Sequence, residues 1–240
     1  MRDVVAIVSF SLYPAVAILL GGALALFRAP GSVARSAIQH FAAGVIFAAL
    51  ATELLPDLVH RRLPWVTLAG FTLGVVVMLG LKKLTEGKGE AGVASTSQPA
   101  SLIAVLGIDV LLDGLLIGLG FAAGQKQGLL LTVALSLEVL FLGLSCSTAL
   151  VGAGTRRWRI LAVLLTLAAL LVLGTLIGAT LLARGSPVTV DAVLAFGAAA
   201  LLYLVTEELL VEAHESPETP FQTAMFFAGF IVLLTIGMLL

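Results

Sequence analysis

The chain reads as an all-α integral membrane protein, with eight transmembrane helices in a three–two–three arrangement and inverted repeats formed by spans one to three and six to eight. Three observations predict this. Its 240 residues are 60% hydrophobic and 11% charged, where a soluble domain is about half apolar and about a quarter charged. Apolar runs of about 20 residues, enough to cross a hydrocarbon core of roughly 30 Å, recur along the whole length. A stretch near the start of the chain is echoed near its end.

The spans fall at 4–27, 35–59, 64–84, 101–124, 128–152, 159–182, 189–213 and 220–240. The first is long and lacks a small-residue cleavage site, so it reads as an uncleaved helix rather than a signal peptide. Tyr13-Pro14 marks a kink within it. Arg28-Ala29-Pro30-Gly31 ends it, and Arg61-Arg62-Leu63-Pro64 separates the second span from the third. Gly154-Thr155-Arg156-Arg157, Gly185-Ser186-Pro187 and Ser216-Pro217 punctuate the later spans with breakers and charge. Residues 85–100 form a Gly/Ser/Lys-rich loop without an apolar period, expected to be flexible and cytoplasmic. Little sequence remains for a soluble unit, so residues 1–240 are expected to form one transmembrane domain.

Lys and Arg set the orientation. With the N-terminus outside, eight of them (Arg28, Arg35, Lys82, Lys83, Lys88, Arg156, Arg157, Arg159) lie inside and five (Arg2, Arg61, Arg62, Lys126, Arg184) outside. An even span count then puts both termini outside, in a multi-pass protein of the plasma or inner membrane. Trp65 and Trp158 fall where interfacial aromatic belts form. His40, at the start of span two, reads as an interfacial polar anchor. The lone Cys146 lies in an apolar run and reads as a small core residue.

Span two from Phe41 and span seven from Phe196 align without gaps. Glu53 meets Glu208, Leu54-Leu55 meet Leu209-Leu210, and Asp57 meets Glu212. The following spans share Ala69-Gly70-Phe71 and Ala228-Gly229-Phe230. An odd number of crossings separates the copies, so they run in opposite directions, a device of secondary transporters.

The chemistry-bearing residues are acids placed where water is scarce. Asp109 and Asp113 lie one helical turn apart on one face of span four. Two anions there repel unless a cation lies between them or one is protonated. Glu138 lies near the middle of span five, with Ser136, Ser145 and Ser147 as further oxygen donors. A carboxylate at a helix centre costs roughly 2.5–3.5 kcal/mol to insert. Spans four and five, packed as an antiparallel pair, would bring the three to one depth and make a divalent-cation site. The bland alternative is protonated acids hydrogen-bonded between helices. Glu53 with Asp57, and Glu207, Glu208 and Glu212 with His214 and Glu215, could be entrance and exit ligands, or hydrated helix ends. Gly114 and Gly118 have the small-xxx-small spacing that admits a close helix; such faces serve intramolecular packing or a homodimer equally.

These residues resemble the ZIP (zinc/iron permease) family of divalent-metal transporters across all eight spans. The stretch from His40 to Asp57 looks like its second-span signature, and the seventh span looks like its seventh. The resemblance implies metal ligands in the fourth span, His-Asn-x-x-Asp/Glu-Gly, and in the fifth, His-Glu-x-x-Glu, forming a two-metal site. Here Asp109, Val110, Asp113 and Gly114 fill the fourth-span slots, and Leu137, Glu138 and Phe141 fill the fifth-span slots. Both imidazoles are replaced, and Phe141 stands in the last acid slot. Oxygen ligands lean toward Mn²⁺, Mg²⁺ or Ca²⁺, although zinc accepts them.

The expected function is secondary transport, or facilitated passage, of divalent cations of the zinc, manganese and iron class through Asp109, Asp113 and Glu138. The cation is the substrate and no cofactor is expected. The alternative is a non-transporting scaffold that senses metal or binds a partner. A proton-coupled carrier of an organic substrate would need more polar side chains mid-span. The chain has no GxxxxGK[ST], no HExxH and no mid-span histidine, so ATP-driven pumping and intramembrane proteolysis are not expected. No basic stripe points to nucleic acid.

Overall fold

The computed structural model describes residues 2–27, 31–86, 99–182, 185–214 and 219–240. Most of the expected loop at 85–100 lies outside these. Among the described residues, eight helices are long and apolar enough to cross a membrane: α1 (Ala6–Phe27), α2 (Ser32–Arg61), α3 (Pro64–Lys83), α4 (Ile103–Ala123), α5 (Gln125–Gly152), α6 (Arg157–Thr180), α7 (Pro187–Leu209) and α8 (Pro220–Leu239). The protein is a multi-pass membrane protein.

The breakers act where the sequence placed them. Pro64, Pro187 and Pro220 each open a helix, where a missing N–H costs nothing. Ser186 caps α7, its hydroxyl accepting from Thr189 N at 3.2 Å. Thr219 and Gln222 form a capping box on α8. The kink in α1 falls at Ser11, four residues after Ile7 and three before Pro14, with the Ser11 hydroxyl donating to Val8 O at 2.7 Å.

Helices that touch closely do so through glycine. Gly21 and Gly143 bring α1 and α5 to backbone contact, and Gly114 and Gly118 bring α4 onto Gly174 and Gly178 of α6. A methyl added at Gly114 would collide with the carbonyl of Leu171. Gly44 and Gly229 join α2 to α8, while Gly70 and Gly74 seat α3 against Ala192 and Phe196 of α7. In hydrocarbon, where apolar burial gives little drive, such close van der Waals packing is what holds helices together. The small-residue face of α4 therefore serves packing within the chain.

The main apolar cluster is centred on α2, α4, α5 and α7 and includes Ile46, Ile117, Leu135 and Ala198, with a smaller one of Met78, Ala200 and Tyr203 between α3 and α7. The outermost helices present apolar side chains outward: Trp65 is 81% exposed and Phe227 65%. Such a surface suits lipid, not water. Among the described residues three helices carry a π-helical turn, at Leu50–Leu54 in α2, at Gly178–Leu182 where α6 runs out, and at Leu204–Leu209 in α7. Single π turns inside α-helices recur at functional sites. Two of these three contain glutamates, Glu53 and the Glu207-Glu208 pair.

Candidate metal centre

Asp109 and Asp113 lie on α4 and Glu138 on α5, which follows it after the single break at Gly124. Their i, i+4 spacing puts both aspartates on the face that meets α5. One carboxylate oxygen from each of the three lies within 4.8 Å of the others. Asp113 and Glu138 are each 2% exposed, and Asp109 is half-buried. Neither oxygen of Glu138 has a hydrogen-bond partner, nor has Oδ2 of Asp113. Buried polar atoms rarely go unpaired, and each such group raises the cost of folding. A cation shared among the three would satisfy all of them at once.

A cavity of about 480 Å³ reaches Asp109 and Glu138 from the end of the bundle where α2 and α4 begin and α5 and α7 finish. Arg35, Gln39, Phe141, Ser145 and Glu208 help to line it. A second cavity of about 230 Å³ meets Asp109 and Glu208 from the side of α3 and carries Lys82 and Glu207. At the opposite end of the bundle, Glu53, Asp57, Gly120 and Gln127 enclose only about 10 Å³. The two larger cavities both border Asp109 and Glu208.

The remaining acids are placed unevenly. Asp57 is held by Arg61, Nε to Oδ2 at 3.0 Å. Glu53 is buried, with the Thr52 hydroxyl 3.4 Å away. Glu207 pairs with Lys82 at 3.1 Å, both half-exposed. Glu208 lines both cavities. The side chain of Glu212 and all of Glu215 lie outside the described residues.

Some positions depart from expectation. His40 is 3% exposed, so it is not an interfacial anchor. Its Nδ1–H donates to Ser36 O at 2.9 Å, and its ring lies 5.2 Å from that of His214. The reason is the packing of the start of α2 against the helical turn Leu210–Ala213 that follows α7, where Ser36 also donates to Ala213 O at 2.7 Å. Of the three serines, only Ser145 lines the large cavity. Ser136 donates to its own helix, at Thr132 O, and Ser147 is buried against Gly22 of α1. Asp191 was not legible as a special residue. It is fully buried at the start of α7, where Thr67 donates to its Oδ2 at 2.9 Å while Oδ1 has no partner. Nothing local marks it, because its partner lies 124 positions away.

A bundle of eight membrane-spanning helices with three buried carboxylates converging at mid-helix defines a carrier of divalent cations. The sequence model described as ZIP Zinc transporter matches residues 84–237, well over half of the chain. The chain belongs to this family of divalent-metal transporters. No curated protein matches it.

Proposed function

We propose that Asp109, Asp113 and Glu138 are the transport site, replacing lost hydration water as the cation crosses. The observation that carries this is the pair of unpartnered Glu138 oxygens beside two aspartates within 4.8 Å. Acids kept only to hold helices together would be hydrogen-bonded between them, and these oxygens of Glu138 are not. Three oxygen donors favour Mn²⁺ or a carboxylate-tolerant zinc site over a nitrogen- and sulfur-rich one.

Two halves of one transmembrane domain would move about the α4–α5 pair. An inverted repeat is supported by helix pairing: α1 lies on α5 as α6 lies on α4, and α2 lies on α8 as α7 lies on α3. The aligned segments around Glu53 and Glu208 also share a π turn. On the orientation set by Lys and Arg, both termini face outside and the large cavity faces the cytoplasm. The conformation is then inward-facing, with a chamber many times the roughly 30 Å³ share of one water on the inside. Glu53 and Asp57 would receive the ion on the closed side, and Glu208 and His214 would release it on the open side; Glu207, held by Lys82, would take no part. Alternation between these ends constitutes transport.

Reconstituted vesicles loaded with a dye for divalent cations test the reading. The intact chain should pass Mn²⁺ or Zn²⁺, and D113N combined with E138Q should not. Uptake unchanged in that double variant would remove the three acids from the path.

A further inference from the structure

We propose that Glu208 of α7 is a fourth ligand of the transported cation, supplying from α7 the acid that Phe141 withholds from α5. This rests on the transport site assigned above and specifies how it is completed. Phe141 and Glu208 line the same 480 Å³ cavity, together with Asp109 and Glu138. Where the family resemblance implies a fifth-span acid, this chain has a ring. Across the cavity, a different helix offers a carboxylate.

Two further observations support this role. The two cavities that approach the site share Asp109 and Glu208 in their walls, so both openings border these two carboxylates. Glu138 itself is 2% exposed, borders the same cavity, and has neither oxygen paired. A ligand there gains partners from both sides of the chamber.

The neighbouring Glu207 shows that the arrangement is selective. Consecutive helical residues do not share a face. Glu207 turns to the α3 side and is engaged by Lys82 at 3.1 Å. Both lie in the π turn Leu204–Leu209, whose wider winding resets which residues face the core. Ligand number adds to the case. Three carboxylates fall short of the six or more oxygens that hard cations take, and barely suffice for four-coordinate zinc. Glu208 lies outside the 4.8 Å cluster, so rotation of its side chain, or a small slide of α7, closes the shell. Binding would thereby tie α7 to the α4–α5 pair, and release would untie it.

The test is Mn²⁺ binding to the purified full chain in detergent, by calorimetry. E208Q should weaken binding about tenfold or more, the scale on which supporting groups at metal sites act. E207Q should stay within about twofold, because its carboxylate faces Lys82. Adding F141E to E208Q should restore part of the loss by returning an acid to α5. If E208Q binds like the unaltered chain while D113N loses binding, Glu208 is no ligand and the three-acid site stands. If the unaltered chain binds no Mn²⁺, both readings fall. Should E208Q not fold, carbodiimide labelling of the unaltered chain decides. Bound Mn²⁺ should shield Glu208 but not Glu207, and equal labelling of Glu208 with and without Mn²⁺ would overturn the proposal.

Discussion

Replacing Glu138 by Gln should affect the empty and the loaded protein in opposite directions. Carboxylate oxygens within 4.8 Å of one another, if ionised, repel by about 3.5 kcal/mol at the outer limit of that distance and an effective dielectric of about 20. Glu138 has two such neighbours, and no hydrogen bond of its own is lost on substitution. Removing its charge should therefore stabilise the metal-free protein, by about 2–4 kcal/mol once partial neutralisation of the cluster is allowed for. At about 2–4 °C per kcal/mol for a chain of this size, melting should rise by about 5–10 °C. The unaltered chain, with Mn²⁺ at a hundred times its dissociation constant, should gain about 2.7 kcal/mol from binding and shift by a similar amount. E138Q should lose most of that second gain. The assay is thermal melting of detergent-purified protein, with and without Mn²⁺ after exhaustive chelation. E138Q melting below the unaltered chain without metal would mean that the carboxylate is a packing element. An undiminished Mn²⁺ response in E138Q would remove it from the ligand set.

Other expectations follow from the same geometry. Mn²⁺ affinity should fall as pH is lowered, because protons compete for carboxylates that must be ionised to bind; titration calorimetry at several pH values reads this directly. T67V leaves the buried Asp191 without its one donor and should cost about 1–3 kcal/mol, measurable by melting. G114L drives a side chain into the backbone of α6 and should exceed the ~1–3 kcal/mol typical of overpacking, seen as loss of monodisperse protein on gel filtration. K82Q breaks an exposed pair and should change stability by no more than about 1 kcal/mol.

Periodicity and spacing made part of this legible. Span length is dictated by the bilayer, so eight helices could be read from hydropathy alone. Asp109 and Asp113 stood out because local spacing fixes their common face, and Glu138 because an acid at mid-span demands a reason. What escaped depends on contacts far apart in sequence. Asp191 needs Thr67 from another helix to show its burial, and His40 needs the turn that follows α7. Ser147 turned toward α1 because rotation about α5 is set by how Gly21 and Gly143 fit, which hydropathy does not encode. The π turns are one-residue changes of winding with no clear compositional mark. They decide that Glu207 and Glu208, adjacent in the chain, serve different surroundings.

The unequal ends of the bundle carry a pharmacological consequence. A cavity of about 480 Å³ with a charged floor and an apolar wall falls within the size range of pockets that hold drug-sized ligands. A cationic amphiphile lodged there would hold α7 apart from the α4–α5 pair, since residues of all three helices line the chamber. On the proposed alternation such a blocker would act from one face of the membrane, and cargo on the other face would oppose it only by drawing the equilibrium toward the opposite conformation.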